Sequence, residues 1–224
     1  KRLRPQDHFN IIRFSTDVEP LFSSPMPASE TNKTEGLEFA SELSPAGGTA
    51  IDGALQAALG QKTPSYQPHQ IIFVTDGLPT VGATAPDAIA RNAKTRTKPN
   101  TRLFTFGIGF QINSVLLDTL ASNGRGRAHY VKPDGHLENA VASLYSRISS
   151  PVLSGISVDF GGARIYDAYP TPLPDLFKGD QIVLLGRHRK AFDKPIVVTG
   201  RVGKEMKTFR FGGSKKDPNG KTIT

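Results

Sequence analysis

The 224-residue chain has no cysteine. That absence excludes disulfide frameworks, thiolate metal sites and cysteine nucleophiles. No apolar run approaches the ~20 residues that a membrane-spanning helix requires, so no span is expected. Internal repeats and low-complexity tracts are missing too. Hydrophobic residues at 37% and charged residues at 21% describe a folded globular chain rather than a disordered one. At roughly 100–200 residues per domain, the length admits one α/β domain and part of another.

The usual catalytic signatures are also lacking. Gly107-Ile108-Gly109 starts like a dinucleotide loop, but Ile112 stands where the third glycine belongs. There is no phosphate-binding Gly-x-x-x-x-Gly-Lys-Ser/Thr loop and no Gly-x-Ser-x-Gly nucleophile elbow. His8, His69, His129, His136 and His188 are scattered without paired ligand spacing, and read as surface or loop positions. No enzyme is expected, and catalysis on a Rossmann-like sheet stands only as an alternative.

What is present is basic: the net charge is +8 and the pI near 9.8. The cations are spread out, with small clusters at Lys1-Arg2-Leu3-Arg4, Arg187-His188-Arg189-Lys190 and Lys215-Lys216. Aromatic residues do not interleave with them as a stacking platform requires. A solvated basic surface is expected, with no nucleic-acid partner.

Strand and helix patterns alternate up to about residue 150. Phe9–Ser15 and Val18–Ser23 read as a hairpin. Leu37, Phe39, Ala40 and Leu43 mark a helix over Thr31–Leu43, and Ile51, Ala54, Leu55, Ala58 and Leu59 mark another opening at Thr49. Ile71-Ile72-Phe73-Val74 is a continuous apolar run, as in a strand buried on both faces of a parallel sheet. Pro86–Lys98, Ser114–Ser122 and Leu137–Ile148 are helical, and Leu103–Ile108 and Ala128–Val131 are strands. The alternation predicts βαβ units around a mostly parallel, doubly wound sheet over residues 1–150. Residues 151–224 change grammar. Leu153–Phe160, Arg164–Asp167, Gln181–Arg187, Ile196–Val202 and Met206–Phe211 predict an all-β, sandwich-like segment.

Ligands of an open parallel sheet bind beyond the carboxyl ends of its strands. Asp76 follows the run Ile71–Val74, and Gly77 lets the chain turn there. Gly47-Gly48 precedes Thr49 and gives its hydroxyl freedom to reach the same rim. A carboxylate and a hydroxyl are hard oxygen donors, suited to Mg²⁺, Ca²⁺ or Mn²⁺. Each has a plainer reading as well. Thr49 could cap its helix with Asp52 as the partner acid, and Asp76-Gly77 could be an ordinary turn.

Several segments resemble one family. Asp7-His8-Phe9-Asn10-Ile11-Ile12-Arg13-Phe14-Ser15, Gly47-Gly48-Thr49-Ala50-Ile51 and Phe73-Val74-Thr75-Asp76-Gly77-Leu78-Pro79-Thr80-Val81-Gly82 look like a von Willebrand factor A domain. The likeness is to the subgroup of inter-alpha-trypsin inhibitor heavy chains, in which a vault/inter-alpha-trypsin domain commonly precedes the A domain. Phe104-Thr105-Phe106-Gly107-Ile108-Gly109, Asn123-Gly124-Arg125-Gly126, Ser150-Pro151-Val152-Leu153 and Tyr169-Pro170-Thr171-Pro172-Leu173-Pro174-Asp175-Leu176-Phe177-Lys178-Gly179 extend it along most of the chain.

The resemblance implies a metal-ion-dependent adhesion site. In the family it combines an Asp-x-Ser-x-Ser loop on the first strand with a threonine and an aspartate from two other loops. Thr49 and Asp76 match the latter roles. The Asp-x-Ser-x-Ser loop has no counterpart here, because the match begins at what corresponds to the second strand. The chain, which opens on Lys1, is therefore expected to be a fragment that binds Mg²⁺ (or Ca²⁺ or Mn²⁺) weakly. The implied partner is a protein or extracellular-matrix ligand offering an acidic group to the metal. The implied setting is extracellular or at the cell surface. A structural spacer with a vestigial metal site is the other expectation.

Overall fold

The computed structural model describes residues 3–44, 47–63, 68–132, 135–148, 151–177, 181–189, 194–202, 205–212, 215–216 and 222–223. Of the residues quoted above, Lys1-Arg2, Ser150, Lys178-Gly179 and Lys190 lie outside that set. The chain divides into two compact units, Lys1–Gly135 and His136–Thr224.

The run expected as a single strand over Phe9–Ser15 is interrupted at Asn10. Its side-chain amide donates to the Phe22 carbonyl at 2.7 Å, and its side-chain oxygen accepts from the Ile11 and Phe22 N–H groups at 2.9 and 3.0 Å. A polar side chain that bonds nearby backbone competes with a continuous ladder. The segment accordingly forms β1 (His8–Phe9), β2 (Ile12–Phe14), β3 (Val18–Pro20) and β4 (Met26–Pro27). β2 and β3 make the expected antiparallel hairpin, while β1 pairs with β4. Helix α1 (Glu30–Ser41) starts at Ser29, whose hydroxyl accepts from the Asn32 N–H at 3.2 Å.

The rest of this unit alternates: α2 (Ile51–Leu59), β5 (His69–Thr75), α3 (Pro86–Arg96), β6 (Thr101–Ile108), α4 (Ser114–Asn123) and β7 (Ala128–Val131). The three strands form a parallel sheet in the order β5-β6-β7, separate from the hairpin's own ladder. Pro86 occupies the first turn of α3, where its missing N–H costs nothing. Ile51, Leu55 and Leu59 of α2, Ile89 of α3 and Leu116, Leu117 and Leu120 of α4 pack with Ile71, Phe73 and Leu103 as one core. β6 is buried from Thr101 to Gly107. The expectation of burial on both faces fails for β5. Ile71 and Phe73 are covered, but Ile72 is 36% exposed, because β5 is an outer strand of its sheet.

The stretch Asn123-Gly124-Arg125-Gly126 lies against β6. The Leu103 N–H donates to the Gly124 carbonyl and the Thr105 N–H to the Arg127 carbonyl, both at 3.1 Å. This carries the chain from α4 into β7 along the central strand.

At the opposite end of β5 the His69 side chain is half-buried, and its Nδ1 has no hydrogen-bond partner. Burial, aided by the charge of Lys98, lowers its pKa below the usual value of 6.5. The unfolded chain therefore binds a proton that the folded chain refuses. The resulting stability is complete above about pH 6.5 and is lost as the pH falls through and below that value. His69→Leu should shrink the drop in urea midpoint between pH 7.5 and pH 5. An unchanged drop would remove His69 from the account.

The second unit holds α5 (Leu137–Ile148), which the sequence pattern grouped with the preceding domain. After it come β8 (Pro151–Asp159), β9 (Tyr166–Tyr169), β10 (Leu176–Phe177), β11 (Leu185–Arg187), β12 (Ile196–Val202), β13 (Glu205–Phe211), β14 (Lys215–Lys216) and β15 (Thr222–Ile223). A four-stranded antiparallel sheet has the order β10-β8-β12-β13, with separate ribbons β11-β9 and β14-β15. No helix occurs among the described residues after Ile148. β9 lies later than the expected Arg164–Asp167, and β11 is shorter than Gln181–Arg187. Inside this unit the buried Asp175 carboxylate accepts from the Gly155 N–H at 3.0 Å. The fold class is α/β with a parallel sheet, followed by antiparallel strands.

Candidate functional site

Four connections of the first unit bear on the site. The turn after β2 reaches the loop before α2, where the Ala50 N–H donates to the Ser15 carbonyl at 2.8 Å. The Gly48 N–H donates to the Thr16 hydroxyl at 2.9 Å. On the other side, the Thr49 N–H donates to the Thr80 hydroxyl at 2.8 Å, and the Thr80 N–H returns a bond to the Thr49 carbonyl at 3.1 Å. The loop after β5 is thus clamped to the loop before α2. The fourth connection runs from Gly109 to Asn113, after β6.

The glycine pair makes this approach possible. Gly47 has φ +81°, a left-handed conformation that side chains resist, and a Cβ there would lie 2.6 Å from the Thr16 hydroxyl. A Cβ on Gly48 would overlap a Val81 methyl and sit 2.9 Å from the Thr80 hydroxyl.

Thr49 does not cap α2. The cap position is Ala50, which makes no side-chain cap bond. Asp52, the expected partner acid, is buried at 7% exposure. Its carboxylate accepts from Gln56 Nε2 at 2.6 Å and from Asn92 Nδ2 at 3.1 Å, tying α2 to α3. The half-buried Thr49 instead overhangs the loop after β5, with its hydroxyl 3.4 Å from the position a Gly77 Cβ would take. The turn at Asp76-Gly77 is closed by Thr75, whose hydroxyl makes long bonds with the Gly77 N–H (3.4 Å) and carbonyl (3.3 Å). Asp76 is exposed at the carboxyl end of β5. Among the described residues, neither its carboxylate nor the Thr49 hydroxyl has a hydrogen-bond or ion-pair partner. The capping reading of Thr49 therefore fails, whereas Asp76-Gly77 does form a turn and its carboxylate takes no part in closing it.

An open cleft of about 640 Å³ lies beside Thr49. Thr49, Gly77 and Thr80 line part of it, and Leu78, Phe110, Gln111 and Ile112 line the rest. Asp76 stands next to this lining rather than in it. Among the described residues, no group of three His, Cys, Asp or Glu side chains is placed to hold a metal. His69 and His129, expected on surfaces or loops, are in strands, and His129 stacks on Phe106 with centroids 4.8 Å apart. The uncommitted oxygens of Thr49 and Asp76 fit a hard divalent cation in kind. Mg²⁺ takes about six oxygens, so most of its sphere would be water or ligand. Sequence reasoning missed Thr16 and Thr80 as the residues that fix the Thr49 loop. Hydroxyl side chains in a turn carry no pattern that names a partner some thirty positions away, as in the Thr49–Thr80 bond.

Parallel strands joined through helices, with clamped loops beyond the strand ends, define an α/β module of the open-sheet type. The family model for the von Willebrand factor type A domain matches residues 1–130, and the chain belongs to that family. Similarity continues past the matched segment. Human inter-alpha-trypsin inhibitor heavy chain H4 is 29% identical over 215 residues, covering 92% of this chain and 23% of the relative. Heavy chain H2 from Sus scrofa is 28% identical over 194 residues, covering 83% of this chain and 21% of the relative. The chain thus spans less than a quarter of the length of these relatives. Among solved structures, a von Willebrand factor type A protein from Catenulispora acidiphila aligns with TM-score 0.69 at 14% identity. It covers 93% of this chain and 57% of that one. At that identity the likeness speaks for the fold.

Proposed function

We propose that this chain is a divalent-cation-dependent protein-recognition module of a secreted or surface-exposed protein, with Thr49 and Asp76 as cation ligands. The observation that carries the reading is the pair of uncommitted oxygens at one rim of the parallel sheet. A bound Mg²⁺, Ca²⁺ or Mn²⁺ would supply a positive charge with an open position for a partner's acidic group. The Thr80 clamp holds the Thr49 backbone, and Thr75 holds the turn that presents Asp76. With so few protein oxygens, affinity for Mg²⁺ is weak, and a micromolar site found by calorimetry would overturn that expectation.

The test is amide broadening by Mn²⁺ in labelled protein. Broadening should centre on Thr49 and Gly77 and fall at least tenfold in Asp76→Ala, since losing a ligand costs no less than the 10–100-fold lost with groups that merely orient one. Because Asp76 is exposed and unbonded, its urea midpoint should not move. Broadening that survives Asp76→Ala sinks the assignment. Partner capture indifferent to EDTA would favour the structural-spacer alternative.

A further inference from the structure

The cleft beside Thr49 has an apolar wall that the cation reading does not use. Phe110 is 86% exposed and Leu78 is 50% exposed, and both line it. Leaving a phenylalanine in water forgoes roughly 1.5–3 kcal/mol of burial. The loop makes that exposure a fixed feature. Just before Phe110, the Gly109 N–H donates to the Val131 carbonyl at 2.9 Å. Just after it, Ile112 turns inward and packs on the core. Asn113 then caps α4, its side-chain oxygen accepting from the Leu116 N–H at 2.9 Å. Anchored on both sides, the loop holds the Phe110 backbone in a short arch at the cleft.

The charge balance says what accompanies an apolar group in this cleft. None of the lining residues is charged. Asp76 is the only charged member of the proposed ligand pair, so a divalent ion held there keeps a net positive charge that one carboxylate neutralises. We propose that the partner segment carries an aspartate or glutamate directly beside a bulky apolar side chain. The acid meets the cation at Thr49 and Asp76, and the apolar side chain seats between Leu78 and Phe110. This rests on the cation reading above, and adds to it that the cleft selects the residue next to the acid.

The experiment uses the full chain, ¹⁵N-labelled, with Mg²⁺ or EDTA, and the probes Ac-Asp-Phe-NH₂, Ac-Asp-Gly-NH₂ and Ac-Asn-Phe-NH₂. With Mg²⁺, Ac-Asp-Phe-NH₂ should bind about tenfold more tightly than Ac-Asp-Gly-NH₂, the value of a partly buried ring. It should shift the Leu78 and Phe110 amides together with Thr49 and Gly77. Ac-Asn-Phe-NH₂ should bind no better with Mg²⁺ than with EDTA, while still shifting Leu78 and Phe110. In Phe110→Ser, which removes a side chain that is 86% exposed, the preference for Phe over Gly should vanish while Mn²⁺ broadening at Thr49 persists. Equal affinity for the two aspartyl probes, or a preference that survives Phe110→Ser, overturns the apolar seat and leaves the cation reading standing. Absence of Mn²⁺ broadening at Thr49 and Gly77 overturns the cation reading and this proposal with it.

Discussion

Gly126→Ala should lower the stability of the first unit by about 3 kcal/mol or more, above the usual overpacking cost, because the obstruction is backbone. A Cβ on Gly126 would overlap the Leu103 carbonyl oxygen, lie 2.6 Å from its carbonyl carbon and 3.2 Å from the Phe104 nitrogen. Those atoms belong to β6, the middle strand of the parallel sheet, where Leu103 and Phe104 are each 1% exposed. A flexible side chain could give way, but this strand cannot. The chain after α4 must move off β6 instead. That leaves the Leu103 and Thr105 N–H groups without the Gly124 and Arg127 carbonyls they now reach at 3.1 Å. Each buried donor so orphaned costs about 1–3 kcal/mol in its own right. Urea unfolding followed by far-UV circular dichroism reads the loss. A midpoint equal to that of the parent chain would show that the segment is not held against β6. Gly77→Ala makes a useful contrast. Its nearest neighbour, the Thr49 hydroxyl, is 3.4 Å away, an ordinary contact, so the midpoint should hardly change.

Gly48→Ala should act on the site more than on the fold. The new methyl would press on the side chains of Val81 and Thr80, which sit on a loop and can shift. Moving that loop breaks the reciprocal bonds of 2.8 and 3.1 Å between Thr49 and Thr80. The Thr49 hydroxyl then loses its position over Gly77. Removing a group that orients a metal ligand commonly lowers affinity 10–100-fold, and a loss of at least tenfold in Mn²⁺ affinity is expected. The urea midpoint should fall much less than in Gly126→Ala, because no central strand is touched. Parent-like Mn²⁺ broadening at Gly77 in the Gly48 variant would dissociate the clamp from the site. Thr80→Val gives an independent check, removing the hydroxyl that the Thr49 N–H reaches while leaving Gly48 in place.

These variants also separate two ideas about Gly47-Gly48. From sequence alone the pair reads as a flexible loop that lets Thr49 reach a distant carboxylate. The structure assigns it a different service: it leaves room for a hairpin turn on one side and the Thr80-Val81 loop on the other. A close fit and a flexible tether give the same residue pattern, since glycine satisfies both. Thr49 and Asp52 pose the same kind of ambiguity. The spacing suits a capping box, yet Asp52 bonds Gln56 and Asn92 instead, because α3 brings an amide to within 3.1 Å. Asn92 lies on another helix, forty positions away, and no local pattern announces it.

Sequence by itself determined the fold class and the alternation of helices and strands from Ile51 to Ile148. Ala128–Val131, Leu137–Ile148 and Ile196–Val202 form with the expected limits, because apolar periodicity and Gly/Pro punctuation act locally. It also picked out Thr49 and Asp76 as candidates, through motif resemblance and their place after predicted elements. Tertiary structure decided what local pattern cannot encode. It split the first apolar run at Asn10, left one face of Ile72 open, and placed the Thr49 hydroxyl over Gly77 instead of at the end of its helix. It also turned Phe110 outward while Ile112 packed inward, two positions apart in an otherwise similar stretch. Each outcome depends on which distant segment supplies the nearest hydrogen-bond partner or apolar surface. That is settled only when the chain is packed.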